Sequence, residues 1–188
     1  MAKSIVTIAR LGWAEIFHKK ILIAAAVLTL SYLALFGIGL HFLTSEHTFD
    51  ELGATQLFTM GLYLAVLLTS LLAALVGVGA IAGEVESGTA YALLARPVSR
   101  STVLLGKYLG YATFMAGYAG AFFLGLWVLM GWQGGVWLSS VGEALGLFVL
   151  EPLVLLALTF VCSSLFSTLG AGVIVLLLYG VSLVGGMV

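Results

Sequence analysis

Charge is what this chain has least of: seven Lys and Arg and eight Asp and Glu among 188 residues, 8% in all. About a quarter of the residues of a soluble domain are charged, so a chain that is also 62% hydrophobic, with a mean hydropathy of +1.22, is built for lipid rather than water. Nucleic acid is not expected as a partner. Cysteine occurs once, at Cys162, which excludes an internal disulfide and leaves burial as a small apolar residue as its ordinary role. No G-x-x-x-x-G-K-[ST] phosphate loop is present, so the chain cannot itself cradle ATP in the usual manner. No H-E-x-x-H pair is present either, and His18, His41 and His47 are divided by the topology derived below. His41, Glu46, His47 and Asp50 share a short stretch, but no ligand spacing there matches a metal site, and a solvated loop is the expectation. Neither a catalytic residue nor a bound metal is expected.

The long apolar runs dictate the architecture. A helix needs roughly 20 apolar residues to cross about 30 Å of hydrocarbon, and the runs near Ile21–Leu43, Thr55–Ala82, Tyr108–Gly131, Ala144–Phe166 and Gly170–Val188 meet that need. They are expected to be helical, because unpaired backbone groups are too costly in lipid. No alternating strand period supports a barrel. The first run exceeds the apolar core of a signal peptide and is expected to remain as an anchor. Before it, Ile5, Ile8, Ala9, Gly12, Trp13 and Ile16 fall on one helical face and Thr7, Arg10 and His18 lie opposite, which predicts an amphipathic interfacial helix over residues 1–20. Residues 21–188 form the transmembrane domain.

Basic residues orient these spans. Lys3, Arg10, Lys19 and Lys20 precede the first, and Arg96, Arg100 and Lys107 lie between the second and third, whereas Glu46, Asp50 and Glu51 occupy a link without Lys or Arg. By the positive-inside rule both basic segments face the cytoplasm and the acidic link faces out. A cysteine placed at Glu46 should therefore react with an impermeant maleimide added to intact cells, and one at Arg96 should not. Labelling at Arg96 from outside would overturn this orientation.

The segment Gly83–Lys107, GEVESGTAYALLARPVSRSTVLLGK, concentrates five charges between two apolar runs. Glu84 and Glu86 mark where the second span leaves hydrocarbon. Ser87 is suited to cap a short helix over residues 89–95. Pro97 forbids its continuation, and Ser99 is suited to cap a helix beginning at Arg100. Tyr91, Leu93 and Leu94 are then apolar groups at an exposed tip, the composition of a protein interface. Pairs between Glu84 or Glu86 and Arg96 or Arg100 would shape the loop while stabilising it by only about 0–1 kcal/mol each.

Together Glu84-x-Glu86-Ser87-Gly88-Thr89, Leu93-Leu94, Pro97-x-Ser99-Arg100 and Gly106-Lys107 resemble the coupling loop of ABC-2 type transporter permeases. The resemblance implies an all-α membrane protein with an N-terminal elbow helix, a cytoplasmic coupling loop over 83–107, and a homodimer in the inner membrane. It also implies a cytosolic ATPase partner that holds ATP and Mg and drives export. Glu84, Glu86, Gly88, Thr89, Leu93, Leu94, Pro97 and Arg100 would form the contact. The loop and length pattern is similar to permeases of the nitrous-oxide reductase maturation, multidrug and sodium export groups, and no residue chooses among them. The family usually has six spans, so one is expected to be missing from this sequence. The turn from Cys162 to Gly170 resembles the family's link between spans four and five.

Inside the membrane, Glu151-Pro152 stands out. A carboxylate about seven residues, or roughly 10 Å, into a span is a functional candidate by default, and Pro152 removes one helical hydrogen bond, which predicts a kink or local opening. Tyr108, Tyr111, Met115, Tyr118 and Phe122 share one face of the third span; such a stripe reads first as packing, with Tyr111 and Tyr118 as pathway candidates beside Glu151. Gly79/Gly83, Gly106/Gly110 and Gly142/Gly146 have the small-xxx-small spacing of close helix contacts. Trp132 and Trp137 around Gly134-Gly135 predict an outer interfacial belt. A structural membrane subunit that recruits partners without moving cargo is the alternative to a permease. An intramembrane enzyme is disfavoured by the absent catalytic clusters.

Overall fold

The computed structural model describes residues 12, 13, 16, 20–45, 51–86, 100–135, 137 and 140–185. They form five helices: α1 (Lys20–Ser45), α2 (Glu51–Glu86), α3 (Arg100–Gln133), α4 (Val141–Leu165) and α5 (Thr168–Gly185). No strand occurs among the described residues. The all-α expectation holds. Helices α1 to α4 each contain a stretch long and apolar enough to cross a membrane. In α5 the apolar stretch is the shorter Thr168–Leu183, so the fifth expected span is seen as a helix of 18 residues, and residues 186–188 lie outside the described set. Of the N-terminal segment, only Gly12, Trp13 and Ile16 are described.

Two helices are longer than the membrane requires. At 1.5 Å per residue, the 36 residues of α2 measure about 54 Å and the 34 of α3 about 51 Å, against the ~30 Å of hydrocarbon. The expected spans Thr55–Ala82 and Tyr108–Gly131 are the apolar middles of these rods. The surplus includes the end where α2 finishes at Glu86 and α3 starts at Arg100, hereafter the basic end. The start of α3 coincides with the position expected from Pro97 and Ser99.

Helix α2 is the hub. It packs most extensively on α4, which also meets α3 and α5, while α1 lies to the side, mainly against α3. The inward face of α2 is made of small residues: Ala65, Thr69, Ser70, Ala73, Ala74, Gly77 and Ala80 are all buried. Without a hydrophobic drive between helices in lipid, such a face gains its stability from close backbone approach and dispersion. Against α4 the approach is close at Gly77, where an added Cβ would stand 2.8 Å from Cγ2 of Thr159 and 3.2 Å from Cδ1 of Leu156. Ser163 adds a buried hydrogen bond from its hydroxyl to the Val78 carbonyl, 2.9 Å. The small-residue spacing at Gly142 and Gly146 is not used in this way. A Cβ at either position would meet nothing within 4 Å, because both face outward on α4.

The aromatic stripe of α3 is core. Tyr111, Met115 and Phe122 are almost fully buried, and Tyr108 and Tyr118 are half-buried beside them. Phe160 of α4 meets the rings of Tyr108 and Tyr111 edge-on, with centroids 5.7 and 5.6 Å apart. Aromatic pairs in this geometry add about 0.5–1.5 kcal/mol beyond their area burial. Near the basic end, Ile16 is buried in the same cluster, and Trp13 donates its indole N–H to Thr113 Oγ1, 3.0 Å. At the opposite end Gly135 adopts φ +68°, a left-handed value that suits glycine, and turns the chain after α3. Trp132 and Trp137 are exposed on either side of it, as an interfacial belt requires. Cys162 is buried in the cluster shared by α2, α4 and α5.

Candidate functional site

Three helices converge on one carboxylate. Glu151 is the eleventh residue of α4, about 15 Å from that helix's start. This is deeper than the span boundaries read from sequence placed it, because α4 begins at Val141 rather than Ala144. Tyr179 of α5 donates its hydroxyl to Glu151 Oε1 at 3.2 Å, and Ser70, fully buried near the middle of α2, donates to the same oxygen at 3.5 Å, the outer limit of a hydrogen bond. Glu151 itself is exposed. It borders a cavity of about 490 Å³ at the seam of α4 and α5, walled by Leu150, Val154, Leu158 and Leu178. Pro152, next in sequence and buried, sits within an unbroken helical run. Lacking an N–H, it leaves the Phe148 carbonyl without its helical donor in the turn that carries Glu151.

The other pathway candidates do not join this cluster. Tyr111 is fully buried in the core, its ring edge-on to Phe160. Tyr118 points to the far side of α3. Its hydroxyl meets Thr29 Oγ1 and lies 3.4 Å from the Ala25 carbonyl of α1, beside an apolar cavity of about 290 Å³ that Trp13, Ile16, Leu22, Leu72 and Phe114 help to line. Ser70 and Tyr179 escaped the sequence reading because isolated hydroxyls in an apolar run carry no charge or motif. Only the register between helices pairs them with Glu151.

At the basic end a second polar feature joins the two overlong helices. Lys107 of α3 is buried, and its ammonium donates to the Ala80 carbonyl of α2 at 2.9 Å. A buried ammonium is tolerated only with hydrogen-bonded partners, so this contact fixes α3 against α2 about two turns from the ends of both. The sequence signals Lys107 as part of a basic cluster and of the Gly106-Lys107 pair, not as a tie between helices. Glu84 and Glu86 lie on the last turns of α2, and Arg100 opens α3. Their side chains, together with Gly88, Thr89, Leu93, Leu94 and Pro97, lie outside the described residues.

A helical membrane protein with an overlong hairpin at its basic end and a polar cluster within its spans is the class these features define. The profile of the ABC-2 family transporter protein matches residues 6–188. The chain belongs to the ABC-2 transporter family and is a multi-pass membrane protein. The probable ABC transporter permease protein NosY of Pseudomonas aeruginosa is 35% identical to it over 106 residues. That match takes in 54% of this chain and 38% of that protein, so the chain corresponds to well under half of its relative's length.

Proposed function

We propose that this chain is a permease subunit of an ATP-driven ABC exporter and works as a homodimer in the inner membrane with its N-terminus in the cytoplasm. A cytosolic ATPase, which holds ATP and Mg, grips the segment 83–107. The observation that carries this reading is the α2–α3 hairpin. Both arms are longer than the hydrocarbon is thick, and Lys107 ties them together near the end where α2 finishes and α3 starts, so force applied to the loop reaches α2, the helix on which α4 and α5 pack. The matching of the chain to the transporter family, and of half of it to an ABC transporter permease, supports the same conclusion. Translocation is assigned to the α4–α5 seam at Glu151, where polar groups meet a cavity. That seam favours a transporting subunit over a purely structural one.

Leu94→Asp places a charge where an apolar anchor is expected. The variant should insert normally yet lose the ATPase in co-purification, with a docking defect above about 2 kcal/mol for a central anchor, and should lose ATP-driven transport in reconstituted vesicles. Retention of both docking and stimulated ATP turnover would remove the loop from the coupling interface.

A further inference from the structure

We infer that the α4–α5 seam is a binding site for a monovalent organic cation with an apolar body, held by Glu151 and by the ring and hydroxyl of Tyr179. This names the substrate class of the permease reading and rests on it. Charge inside a membrane protein is ordinarily paired with opposite charge, and Glu151 has hydrogen bonds from Tyr179 and Ser70 but no cation beside it among the described residues. The protein cannot readily supply one. Of the seven basic residues, those among the described residues are Lys20, the first residue of α1, and Arg100 and Lys107, in the first turns of α3 at the basic end. Lys107 is the deepest of them on α3, 26 residues and about 39 Å from the other end of that helix, whereas Glu151 is about 15 Å from the same end of α4. A second copy in the same orientation would bring its basic residues to the same depth as the first and offers no counter-charge either. His41 borders a different cavity, between α1 and α3. The counter-charge is therefore assigned to a ligand.

The walls decide what kind. A hard inorganic cation needs a shell of about six oxygens, and here one carboxylate and the hydroxyls of Tyr179 and Ser182 stand among leucines and a valine, with Ser70 buried behind the carboxylate. A volume of about 490 Å³ falls in the ordinary range for small-molecule sites. Tyr179, on the cavity wall, offers a ring face suited to a weakly hydrated cation.

Equilibrium binding of tetraphenylphosphonium to the full chain in phosphatidylcholine nanodiscs tests this, with tetraphenylborate as an anion of the same shape. Saturable binding of the cation should weaken about tenfold or more in Glu151→Gln, the scale of a lost charge contact at a desolvated site, and should be unchanged in Glu143→Gln at the exposed start of α4. Leu178→Trp, which fills the cavity and leaves Glu151 in place, should also abolish binding and keeps the inference testable if Glu151→Gln folds poorly. Equal binding by wild type and Glu151→Gln, equal binding of cation and anion, or saturable sodium binding that displaces the organic cation would each overturn it. No ATPase enters this assay. A docking interface insensitive to Leu94→Asp together with Glu151-dependent binding would sink the coupling reading and leave the site; the reverse pair of results would sink the site alone.

Discussion

Gly77→Leu should prevent α2 and α4 from packing and leave little folded protein, because a single Cβ there already stands 2.8 Å from a side-chain methyl of Thr159. A graded series makes the point quantitative. Gly77→Ala gains up to about 1 kcal/mol of helix propensity, yet it overpacks a buried contact, which typically costs about 1–3 kcal/mol, so it should be neutral to destabilising. Leucine adds three further carbons to a Cβ that already crowds both Thr159 and Leu156, so it should force the helices apart. Thr159→Ser removes the offending methyl and should recover part of the loss in the Gly77→Ala background, a coupling that distant sites do not show. Gly142→Leu is the control, since nothing lies within 4 Å of the position. Thermal unfolding in detergent, followed by tryptophan fluorescence, reads all four. A Gly77→Leu protein that melts with wild type would mean that α2 and α4 do not meet at this residue.

The second large effect is expected at Lys107. Lys107→Glu points a carboxylate at the Ala80 carbonyl oxygen in a buried site, and an uncompensated buried charge costs about 3–5 kcal/mol. Lys107→Met has similar volume and no charge, so its loss of stability should be much smaller, nearer the ~1.5–3 kcal/mol of a hydrogen bond to a charged group. The methionine variant nonetheless unfastens α2 from α3. It should therefore fold, dock the ATPase and transport poorly. Normal stability of Lys107→Glu would show that Nζ is not held at Ala80, and full transport by Lys107→Met would show that the tie carries no force.

Much of the fold is legible in the sequence because lipid imposes simple rules. Apolar run length placed four spans, and the Pro97–Ser99–Arg100 pattern put the start of α3 at Arg100. What sequence cannot convey is register. Six glycines shared the glycine-to-glycine spacing signal, and a close approach of α2 to α4 occurs at Gly77, which has Ala73 rather than a glycine four residues before it, because helix contact depends on which face meets a neighbour. Glu151 was legible as a misplaced charge. Its partners were not, since Ser70 is 81 residues away and Tyr179 is 28 residues away in the chain. The charged ends Glu84–Glu86 and Arg100–Lys107 are helical beyond the apolar spans, as the helix start expected at Arg100 implies, since water is no obstacle to a helix already nucleated in the membrane.

Pro152 gives α4 unequal mechanical halves. Toward the basic end the helix is clasped by α2 through Thr159 and Ser163. Toward the other end Gly142 and Gly146 face outward, and the helix is held by apolar packing around Phe148, whose ring meets that of Phe123. The missing hydrogen bond falls between these halves, one residue from Glu151. Bending at that joint would swing the carboxylate relative to Tyr179 while the clasp at Gly77 stays shut, so the seam could open and close like a jaw without the rest of the bundle being repacked.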